Sequence, residues 1–555
     1  LDWIPLPSVP APKVVARRWA VVGLDAFGIA DGLRGAGLAV DTFADLAALR
    51  AAVAAGQPAP DVAVRSGAAG VRSAHSLTES MRDSAARFAD EVRDWLADDR
   101  LADAKLLVVT RQTVAVDAGE DIEDLVSVPV WGVLRAAQAA NPDRFVLVDI
   151  DTDDSSVAAL AAAVSTGESQ IAVRSGIAIV PRIGRVSVSD DQAASGAFGS
   201  PGTVLVTAVD RPAGAAVARH LFAGYGVRQL LLLENVGGPS SQDLAAELAR
   251  LGGQVALVTC DPADRDALAG VLAQETREIS AVVHTQGTTG RSVESAVDAV
   301  LNLHDLTENS DVDTFVVFSS SDGVLGAGDQ VEQAAASACV DALMQHRRAL
   351  GMPALALAWG PGELTGELTR RPTGVGTLSA QESMAMFDAA HTVDQSFLTV
   401  LRLDSPNPRT GDVPPLLRGL IDTPARRPER DTSTASPLRA ELDGLATDDQ
   451  IARLLELVRA EAASIRDLDG VGALEPDRAF KDLGFTSITV VELRNRLAAA
   501  TGLSLPATIA FDHPTSSALA HHLHQELFGE PRAVAVASPR VSVSEDEPIA
   551  IVGMG

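Results

Sequence analysis

The sequence predicts an α/β protein with two successive parallel-sheet subdomains, followed by a small all-α domain of four helices. Two observations predict this fold class. Short apolar strand-like runs alternate with helix-like runs over about the first 420 residues. After a linker-like stretch at 422–445, apolar residues recur with helical spacing over 446–529. A chain of 555 residues with 46% hydrophobic content exceeds what one core holds, so several domains are expected.

The first subdomain is predicted to span residues 1–197. Its predicted strands lie at 19–22, 105–109 and 144–148, and its helices lie near 43–55, 77–98 and 131–140. Strands that alternate with helices imply a parallel sheet. No glycine-rich phosphate loop follows the first strand, so this subdomain is interpreted as scaffold.

The second subdomain is predicted at 198–421 as a doubly wound, Rossmann-type sheet. Its predicted strands lie at 203–207, 230–233, 255–258, 281–284, 314–318 and 354–358, with helices near 213–223, 241–251 and 331–350. A linker rich in Pro, Arg, Ser and Thr follows at 422–445. The all-α domain at 446–529 precedes a second linker at 530–546, and residues 547–555 begin a further strand.

Charge and cysteine content exclude several classes of function. The net charge of −29 argues against nucleic acid or an anionic membrane surface as a partner. Cys260 and Cys339 form no disulfide framework and show no metal-ligand spacing, which indicates a reducing, cytoplasmic location. We find no signal peptide and no apolar run of about twenty residues, so no membrane span is expected.

Ser487 is the first candidate reactive residue. It follows a tight Gly-Phe-Thr turn in the run 482–494 and opens a helix. The unpaired N–H groups and the dipole at a helix N-terminus favour an anionic adduct there. The ordinary alternative is a serine that only caps its helix. With its flanks, the run resembles an acyl carrier protein, in which this serine carries a 4′-phosphopantetheine arm.

Further segments extend the resemblance to nearly the whole chain. Residues 1–5, 129–135 and 176–182 resemble the structural subdomain of a ketoreductase, and residues 358–361 resemble the end of its catalytic subdomain. Residues 511–515 are typical of the carrier domain, and 547–554 resemble the first strand of a following ketosynthase. This order resembles a modular type I polyketide synthase. The resemblance implies two short-chain-dehydrogenase-type subdomains before the carrier.

A ketoreductase of this family binds NADPH over a glycine-rich turn, and here that turn is degenerate. The family's Thr-Gly-Gly-Thr-Gly-x-Leu-Gly falls on residues 207–214, so that only Gly214 of four glycines remains. Side chains therefore stand where the backbone would approach phosphates. The changed or retained positions in this turn are Thr207, Ala208, Val209, Asp210 and Gly214.

Two further positions in the cofactor cleft carry acidic residues. Glu234 stands where the family places residues that pair with the 2′-phosphate of NADPH. Asp261 matches a position that contacts adenine, although a turn-forming aspartate is the simpler interpretation. The resemblance thus implies that NADPH binding is lost.

The resemblance also implies that the reductase chemistry is lost. The proton-donating tyrosine falls on Gln333, the activating lysine on Ala296 and the asparagine on Ser337. An amide does not titrate and cannot replace a phenol as an acid. Ser320 matches the family serine and is interpreted as vestigial. The residue counts agree, because the single tyrosine is Tyr225 and the lysines stand at 13, 105 and 481.

These expectations combine into one interpretation. Ser487 holds a β-ketoacyl thioester, and the inactive ketoreductase-like domain serves as scaffold. The implied partners are the upstream and downstream ketosynthase and acyltransferase domains, a phosphopantetheinyl transferase and acyl-thioester intermediates, within a homodimeric synthase of secondary metabolism. Acidic residues of the carrier, including Asp482 and Glu492, are expected to guide docking to basic patches.

Three alternatives remain open at this point. The domain could epimerise an α-methyl group through Ser320, or reduce its substrate with NAD over an unfamiliar turn, since an acidic Glu234 suits NAD. A hydrolase could use Ser320 with Asp322 and His284, although no Gly-x-Ser-x-Gly motif exists. No metal site is expected, because His513, His521 and His522 lie in a turn or on different helix faces.

Overall fold

The structure is a computed structural model that divides the chain into two compact units. The first unit comprises residues 1–6, 10–424 and 548–555, and the second comprises 7–9 and 425–547. The described residues are 1–6, 18–67, 76–117, 119–186, 198–235, 237–285, 292–308, 310–326, 330–366, 375–403, 415–418, 420, 442, 445–465, 475–481, 483, 485, 493–494, 496–497, 500–501, 503, 505, 509, 513–528 and, for the backbone alone, 551–554.

The first subdomain is built on an eight-stranded sheet in the order β1-β8-β7-β6-β5-β4-β2-β3. Its strands are β1 (Asp2–Pro5), β2 (Arg18–Val22), β3 (Ala39–Phe43), β4 (Val62–Ser66), β5 (Lys105–Arg111), β6 (Phe145–Ile150), β7 (Gln170–Arg174) and β8 (Ile177–Arg182). Strands β2 to β7 pair in parallel, and β8 pairs antiparallel with β7 and β1. The helices are α1 (Ile29–Gly35), α2 (Leu46–Ala54), α3 (Leu77–Leu96), α4 (Val128–Ala140) and α5 (Asp154–Val164).

The second subdomain has its own eight-stranded sheet in the order β11-β10-β9-β12-β13-β14-β16-β18. Its strands are β9 (Thr203–Val206), β10 (Gln229–Glu234), β11 (Gln254–Thr259), β12 (Ile279–His284), β13 (Thr314–Ser320), β14 (Leu355–Trp359), β16 (Phe397–Val400) and β18 (Ile551–Met554), and a separate pair joins β15 (Val375–Gly376) to β17 (Arg402–Leu403). The helices are α6 (Pro212–Gly224), α7 (Pro239–Arg250), α8 (Arg265–Leu272), α9 (Val293–Thr307), α10 (Asp322–Leu325), α11 (Val331–Ala349) and α12 (Ala380–Ala390).

The strand order of this second sheet positions the candidate cofactor cleft. β9 lies between β10 and β12, and both pairings are parallel, so the strand order reverses at β9. In doubly wound sheets, ligands bind outside the carboxyl ends of the strands at such a reversal. The loop 207–211, which leads from β9 into α6, stands at that position.

The predicted α/β fold class is confirmed, and every predicted strand of both subdomains is present. Several elements, among them β3 and β4, were not predicted from the sequence. β3 is an edge strand whose residues are exposed or half-buried, so it contains no apolar run. β4 is interrupted by Arg65, which pairs with Glu91 on α3 at 3.0 Å.

The two subdomains pack against each other through α4 on α11 and α3 on α9. Gly132 on α4 permits the closest approach, because a Cβ there would lie 2.4 Å from the Ala334 carbonyl oxygen on α11. Between α3 and α9, Thr78 Oγ1 donates to Asp298 Oδ1 at 2.7 Å. One hydrophobic core includes large side chains from both subdomains, such as Trp131 and Phe315. The interface is therefore part of a common core.

The described part of the second unit is helical apart from turns and a single β-bridge between Ala479 and Thr515. Its two longest helices are α13 (Thr447–Ile465) and α14 (Ser516–Phe528). A buried cluster that includes Leu454, Val458 and Leu523 packs the two helices together. This packing agrees with the predicted all-α carrier domain.

Candidate functional site

Ser487 lies outside the described residues, as do the predicted docking residues Asp482 and Glu492. The turn that precedes Ser487 is described in part. Phe485 is buried against Phe480, with ring centroids 5.4 Å apart. The Phe485 N–H donates to the Phe480 carbonyl at 3.0 Å. The aromatic side chains thus anchor the chain just before Ser487 in the core of the second unit.

The loop that matches the glycine-rich turn is packed into the protein. Thr207, Ala208 and Val209 are all buried. Ala208 has a φ of 52°, in the left-handed region that glycine adopts without strain. Gly214 is required at its position, since a Cβ there would lie 2.4 Å from the Ala208 carbonyl oxygen. Alanine thus stands at a left-handed position of this loop, where glycine would be unstrained.

Two hydrogen bonds join this loop to the end of β10. The Val209 N–H donates to the Leu233 carbonyl at 3.0 Å. The Asn235 N–H donates to the Asp210 carboxylate at 3.1 Å. The carboxylate of Asp210 therefore stands between the β9–α6 loop and the end of β10, and it adds negative charge to this part of the cleft.

Glu234 and Asp261, the acidic residues at the ribose and adenine positions, each accept a hydrogen bond from a nearby residue. Glu234 is buried and accepts a hydrogen bond from Thr259 Oγ1 at 3.0 Å. Its second carboxylate oxygen has no hydrogen-bond partner among the described residues. Asp261 accepts from the Ala263 N–H at 3.0 Å, which is the turn contact that the simpler interpretation predicts.

The structure brings Ser320, at the end of β13, together with Gln333, on α11. The Gln333 amide donates to Asp322 Oδ2 at 2.7 Å and lies 3.5 Å from Ser320 Oγ. All three side chains are buried. Ser337 Oγ donates to the Gln333 carbonyl at 2.8 Å, one turn back along the same helix. The serine and tyrosine positions of the resemblance are thus neighbours, with a primary amide in place of a phenol.

Ala296, at the lysine position, lies on α9 with its side chain in the common core. It is 3% exposed. A core position of this kind holds an apolar methyl group and supplies no cation to the site.

The other residues that the sequence singled out have separate surroundings. His284 Nδ1 lies 3.0 Å from Thr207 Oγ1, beside the β9–α6 loop. In the second unit, the rings of His513 and His522 stack with centroids 4.1 Å apart, and His521 Nδ1 lies 2.9 Å from the Ser517 carbonyl. Within the described residues, no three His, Cys, Asp or Glu side chains form a group that could hold a metal ion.

Arg135 is a residue near the site that sequence reasoning missed. It lies on α4 of the first subdomain, and its guanidinium donates to the Gly323 carbonyl at 2.7 Å. Gly323 belongs to α10, the short helix between Ser320 and α11. A contact between residues 188 positions apart leaves no local sequence signal, so only the fold reveals that the first subdomain supports this short helix.

None of the helices in the described part of the chain combines the length and apolar composition that a membrane crossing requires.

Comparisons with known proteins agree with this architecture. Residues 1–183 match the family described as "Polyketide synthase extender module SpnB, Rossmann fold domain", residues 202–363 match the "KR domain" family, and residues 456–523 match the "Phosphopantetheine attachment site" family. A solved structure titled "Structure of A-type Ketoreductases from Modular Polyketide Synthase" is 26% identical, with a TM-score of 0.60; the match covers 76% of this chain and 96% of that one.

Two relatives from Streptomyces are similar over most of the chain. The spectinabilin polyketide synthase system protein NorA' of Streptomyces orinoci is 44% identical over 83% of this chain and 13% of its own length. Polyketide synthase GfsE of Streptomyces halstedii is 38% identical over 92% of this chain and 14% of its own length. The chain thus spans about a seventh of either relative. It belongs to the modular polyketide synthases, as a segment with an SpnB-type Rossmann domain, a ketoreductase-like KR domain and a phosphopantetheine-attachment domain.

Proposed function

We propose that this segment carries a β-ketoacyl chain on Ser487 and leaves its keto group unreduced. In this proposal the KR domain has lost NADPH binding and reductase activity, and it serves as scaffold. The observation that carries the proposal is Gln333, whose amide lies at the proton-donor position and bonds to Asp322 at 2.7 Å. A reductase needs a titrating acid at that position, and an amide has none.

The β9–α6 loop supports the loss of cofactor binding. A dinucleotide-binding turn presents backbone N–H groups to the pyrophosphate. Here the Val209 N–H donates to Leu233, and the carboxylate of Asp210 accepts from Asn235 at the end of β10. A pyrophosphate in this cleft would meet the negative charge of Asp210.

The lysine position gives independent support. In the related reductases a lysine lowers the pKa of the tyrosine. Ala296 occupies that position inside the core, and the sequence contains no lysine between 106 and 480. A variant that restores only the tyrosine would therefore still lack the lysine, and a variant that restores only the lysine would still lack the tyrosine.

The carrier part of the proposal rests on Ser487 and on the match of residues 456–523 to the phosphopantetheine-attachment family. A phosphopantetheinyl transferase loads the arm, and neighbouring ketosynthase and acyltransferase domains exchange acyl thioesters with it. The linkers on both sides raise the effective concentration of the arm at successive sites.

Intact-mass spectrometry tests the carrier function directly. We expect the chain to gain the mass of one phosphopantetheine group after incubation with a phosphopantetheinyl transferase and coenzyme A. The Ser487→Ala variant should gain nothing, while a Ser517→Ala variant on α14 should be loaded like the wild type. A wild-type chain that gains no mass would contradict the proposal.

The reductase function is tested separately with NADPH and NADH. Calorimetric titration with either dinucleotide should give no binding signal, and a β-ketoacyl thioester should cause no NADPH oxidation. An active ketoreductase from another synthase, assayed with the same thioester, provides the positive control. Measurable turnover that disappears in Ser320→Ala would overturn the proposed inactivity.

A further inference from the structure

The strand β16 lacks the features that usually protect the edge of a sheet. Edge strands in soluble proteins tend to carry charged or polar residues, which discourage pairing with a further strand. The edge strands β3 and β11 follow this rule, with exposed residues such as Asp41 and Gln254. In contrast, the run 396–401 contains no charged residue and no proline, and all four residues of β16 are buried. The composition of β16 is that of an interior strand.

Beyond its pairing with β14, the backbone of β16 has a second side that requires hydrogen-bond partners. On the first side, the Ala356 N–H of β14 donates to the Ser396 carbonyl at 2.8 Å. Because backbone groups alternate in direction along a strand, those of Phe397 and Thr399 face away from β14. The side chains of Phe397 and Leu398 belong to hydrophobic cores on opposite faces of the sheet. The backbone groups of Phe397 and Thr399 are therefore open to a further strand at the edge alone.

The backbone of residues 551–554 lies along this edge as β18. The two strands are antiparallel, and their register places Val400 opposite Ile551. Residues 548–555 accordingly belong to the first compact unit, although the preceding residues 425–547 belong to the second. The chain thus returns to the first unit after the carrier domain.

We propose that the edge of β16 is a docking site for the extended segment 551–554 of the same chain. Docking by strand addition uses the backbone groups of both partners, so it depends little on particular side chains. The run 548–554 contains no charged residue, which suits an edge that lies between two apolar cores. The proposal does not depend on Ser487 or on the loss of reduction.

Docking attaches the second unit to the first on both sides of its sequence. Before the predicted linker 422–445, the Ile183 N–H donates to the Leu416 carbonyl at 2.8 Å, and Leu417 is completely buried in the common core. After the predicted linker 530–546, β18 is the corresponding attachment. A domain held at both ends samples a smaller volume than a domain held at one end, which raises its effective concentration at the sites within reach.

Two other occupants of the edge would compete with this segment. A second copy of the chain could present its own β16, but pairing between copies weakens on dilution, whereas a segment of the same chain keeps a constant effective concentration. Residues 547–554 also resemble the first strand of a ketosynthase, so a following domain that takes up these residues would free the edge of β16. The segment therefore serves one site at a time.

A disulfide trap tests the docking in the full chain. Val400 and Ile551 form a non-hydrogen-bonded pair, in which the Cβ atoms of antiparallel strands approach most closely. In the double variant Val400→Cys/Ile551→Cys, mild oxidation should link the two positions within one chain, as shown by peptide mapping without reduction. The matched control Val400→Cys/Ser544→Cys, with its second cysteine in the linker, should stay reduced. A link between two chains would assign the edge to a second copy, and the absence of any link would overturn the docking.

Hydrogen exchange provides a second measurement that needs no cysteine. Val552→Pro removes the backbone N–H that faces Thr399 in the register. We expect the amides of β16 to exchange at least about tenfold faster in this variant than in the wild type, while those of β9, inside the same sheet, do not change. Val536→Pro, in the linker 530–546, should exchange like the wild type. Equal exchange of β16 in Val552→Pro and in the wild type would overturn the proposal, even if the cysteine variants are poorly folded.

Discussion

The buried side-chain amide of Gln333, on α11, is hydrogen-bonded to the buried carboxylate of Asp322, on α10. The amide donates to Asp322 at 2.7 Å, and Asp322 is completely buried. A buried carboxylate costs several kcal/mol unless donors surround it, so this hydrogen bond contributes to stability as well as to local shape. At the residue scale, the proton-donor position of the resemblance holds a structural contact.

We expect Gln333→Leu to lower the free energy of unfolding of the first unit by about 1–3 kcal/mol, because the buried Asp322 loses a donor. Denaturant unfolding followed by tryptophan fluorescence measures this, since all five tryptophans lie in the first unit. In the Asp322→Ala background, the same Gln333 substitution should cost clearly less. Equal costs in both backgrounds would show that the contact contributes nothing.

Ala208 offers a second test at the scale of one residue. Its φ of 52° costs alanine about 1–2 kcal/mol, against roughly 0.5–1 kcal/mol of backbone entropy that glycine would lose. We therefore expect Ala208→Gly to raise stability by up to about 1 kcal/mol without restoring NADPH binding. The control Ala215→Gly, inside α6, should lower stability by about 1 kcal/mol. If Ala208→Gly instead destabilises the protein, the left-handed φ does not strain Ala208.

At the scale of elements, a polar cluster ties α12 to α6. The Tyr225 hydroxyl donates to Asp388 Oδ1 at 2.8 Å, and His220 Nε2 lies 2.6 Å from the same oxygen. Burial would raise the pKa of Asp388, but the hydrogen bonds from His220 and Tyr225 outweigh it and hold the pKa low. His391 packs beside them against Phe387, and burial lowers its pKa to about 4.

His391 makes the stability of the first unit dependent on pH. The unfolded chain protonates this ring below about pH 6.5 and the folded chain only below about 4, so the unfolded state binds more protons in between. Stability should therefore fall as the pH drops from 6.5 to 4, by up to about 3 kcal/mol from this residue. In His391→Phe this part of the pH dependence should disappear, whereas His521→Gln, in the second unit, should leave it unchanged. If the stability of His391→Phe depends on pH in the same way as that of the wild type, His391 is not the source of this pH dependence.

The contact between α4 and α11 depends on the missing side chain of Gly132. A Cβ there would lie 2.4–2.6 Å from the Ala334 backbone, which cannot move without shifting the helix. We expect Gly132→Ala to lower the stability of the first unit by about 1–3 kcal/mol, measured by tryptophan fluorescence. The control Gly270→Ala, in open space on α8, should be neutral or stabilise by up to about 1 kcal/mol. A neutral Gly132→Ala would contradict the close approach.

At the scale of the whole molecule, the two compact units separate at residues 424 and 425. The predicted linker 422–445 contains Arg426 and Arg430, neither of which precedes a proline, and few buried contacts are expected there. Limited digestion with trypsin should cut at these arginines before any site in the sheets, and mass spectrometry of the fragments identifies the cut. Cleavage inside α11 or the β-strands at an earlier time would contradict the predicted linker.

The helices and strands that could be predicted from the sequence are those specified by a local residue pattern. Apolar runs such as β5 and β12 are buried on both sides, and α3 begins at Ser76 with a capping box to Glu79. The approach of Arg135 to Gly323 and the bond between Gln333 and Asp322 could not be predicted, because the partners come from segments that only the fold brings together. The positions of Ser320 and Gln333 followed from the resemblance, and their proximity in the structure agrees with it.

The common core of the two subdomains has a consequence for mutational tolerance. Residues of α11, such as Ala335 and Cys339, belong to the same buried cluster as Trp95 and Trp131 of the first subdomain. A substitution there disturbs both halves at once, whatever chemistry the second half performs. In a comprehensive mutational scan, these positions should therefore accept few changes, whether or not the chain reduces a substrate. Selection for folding alone would then suffice to preserve these core positions of the KR domain.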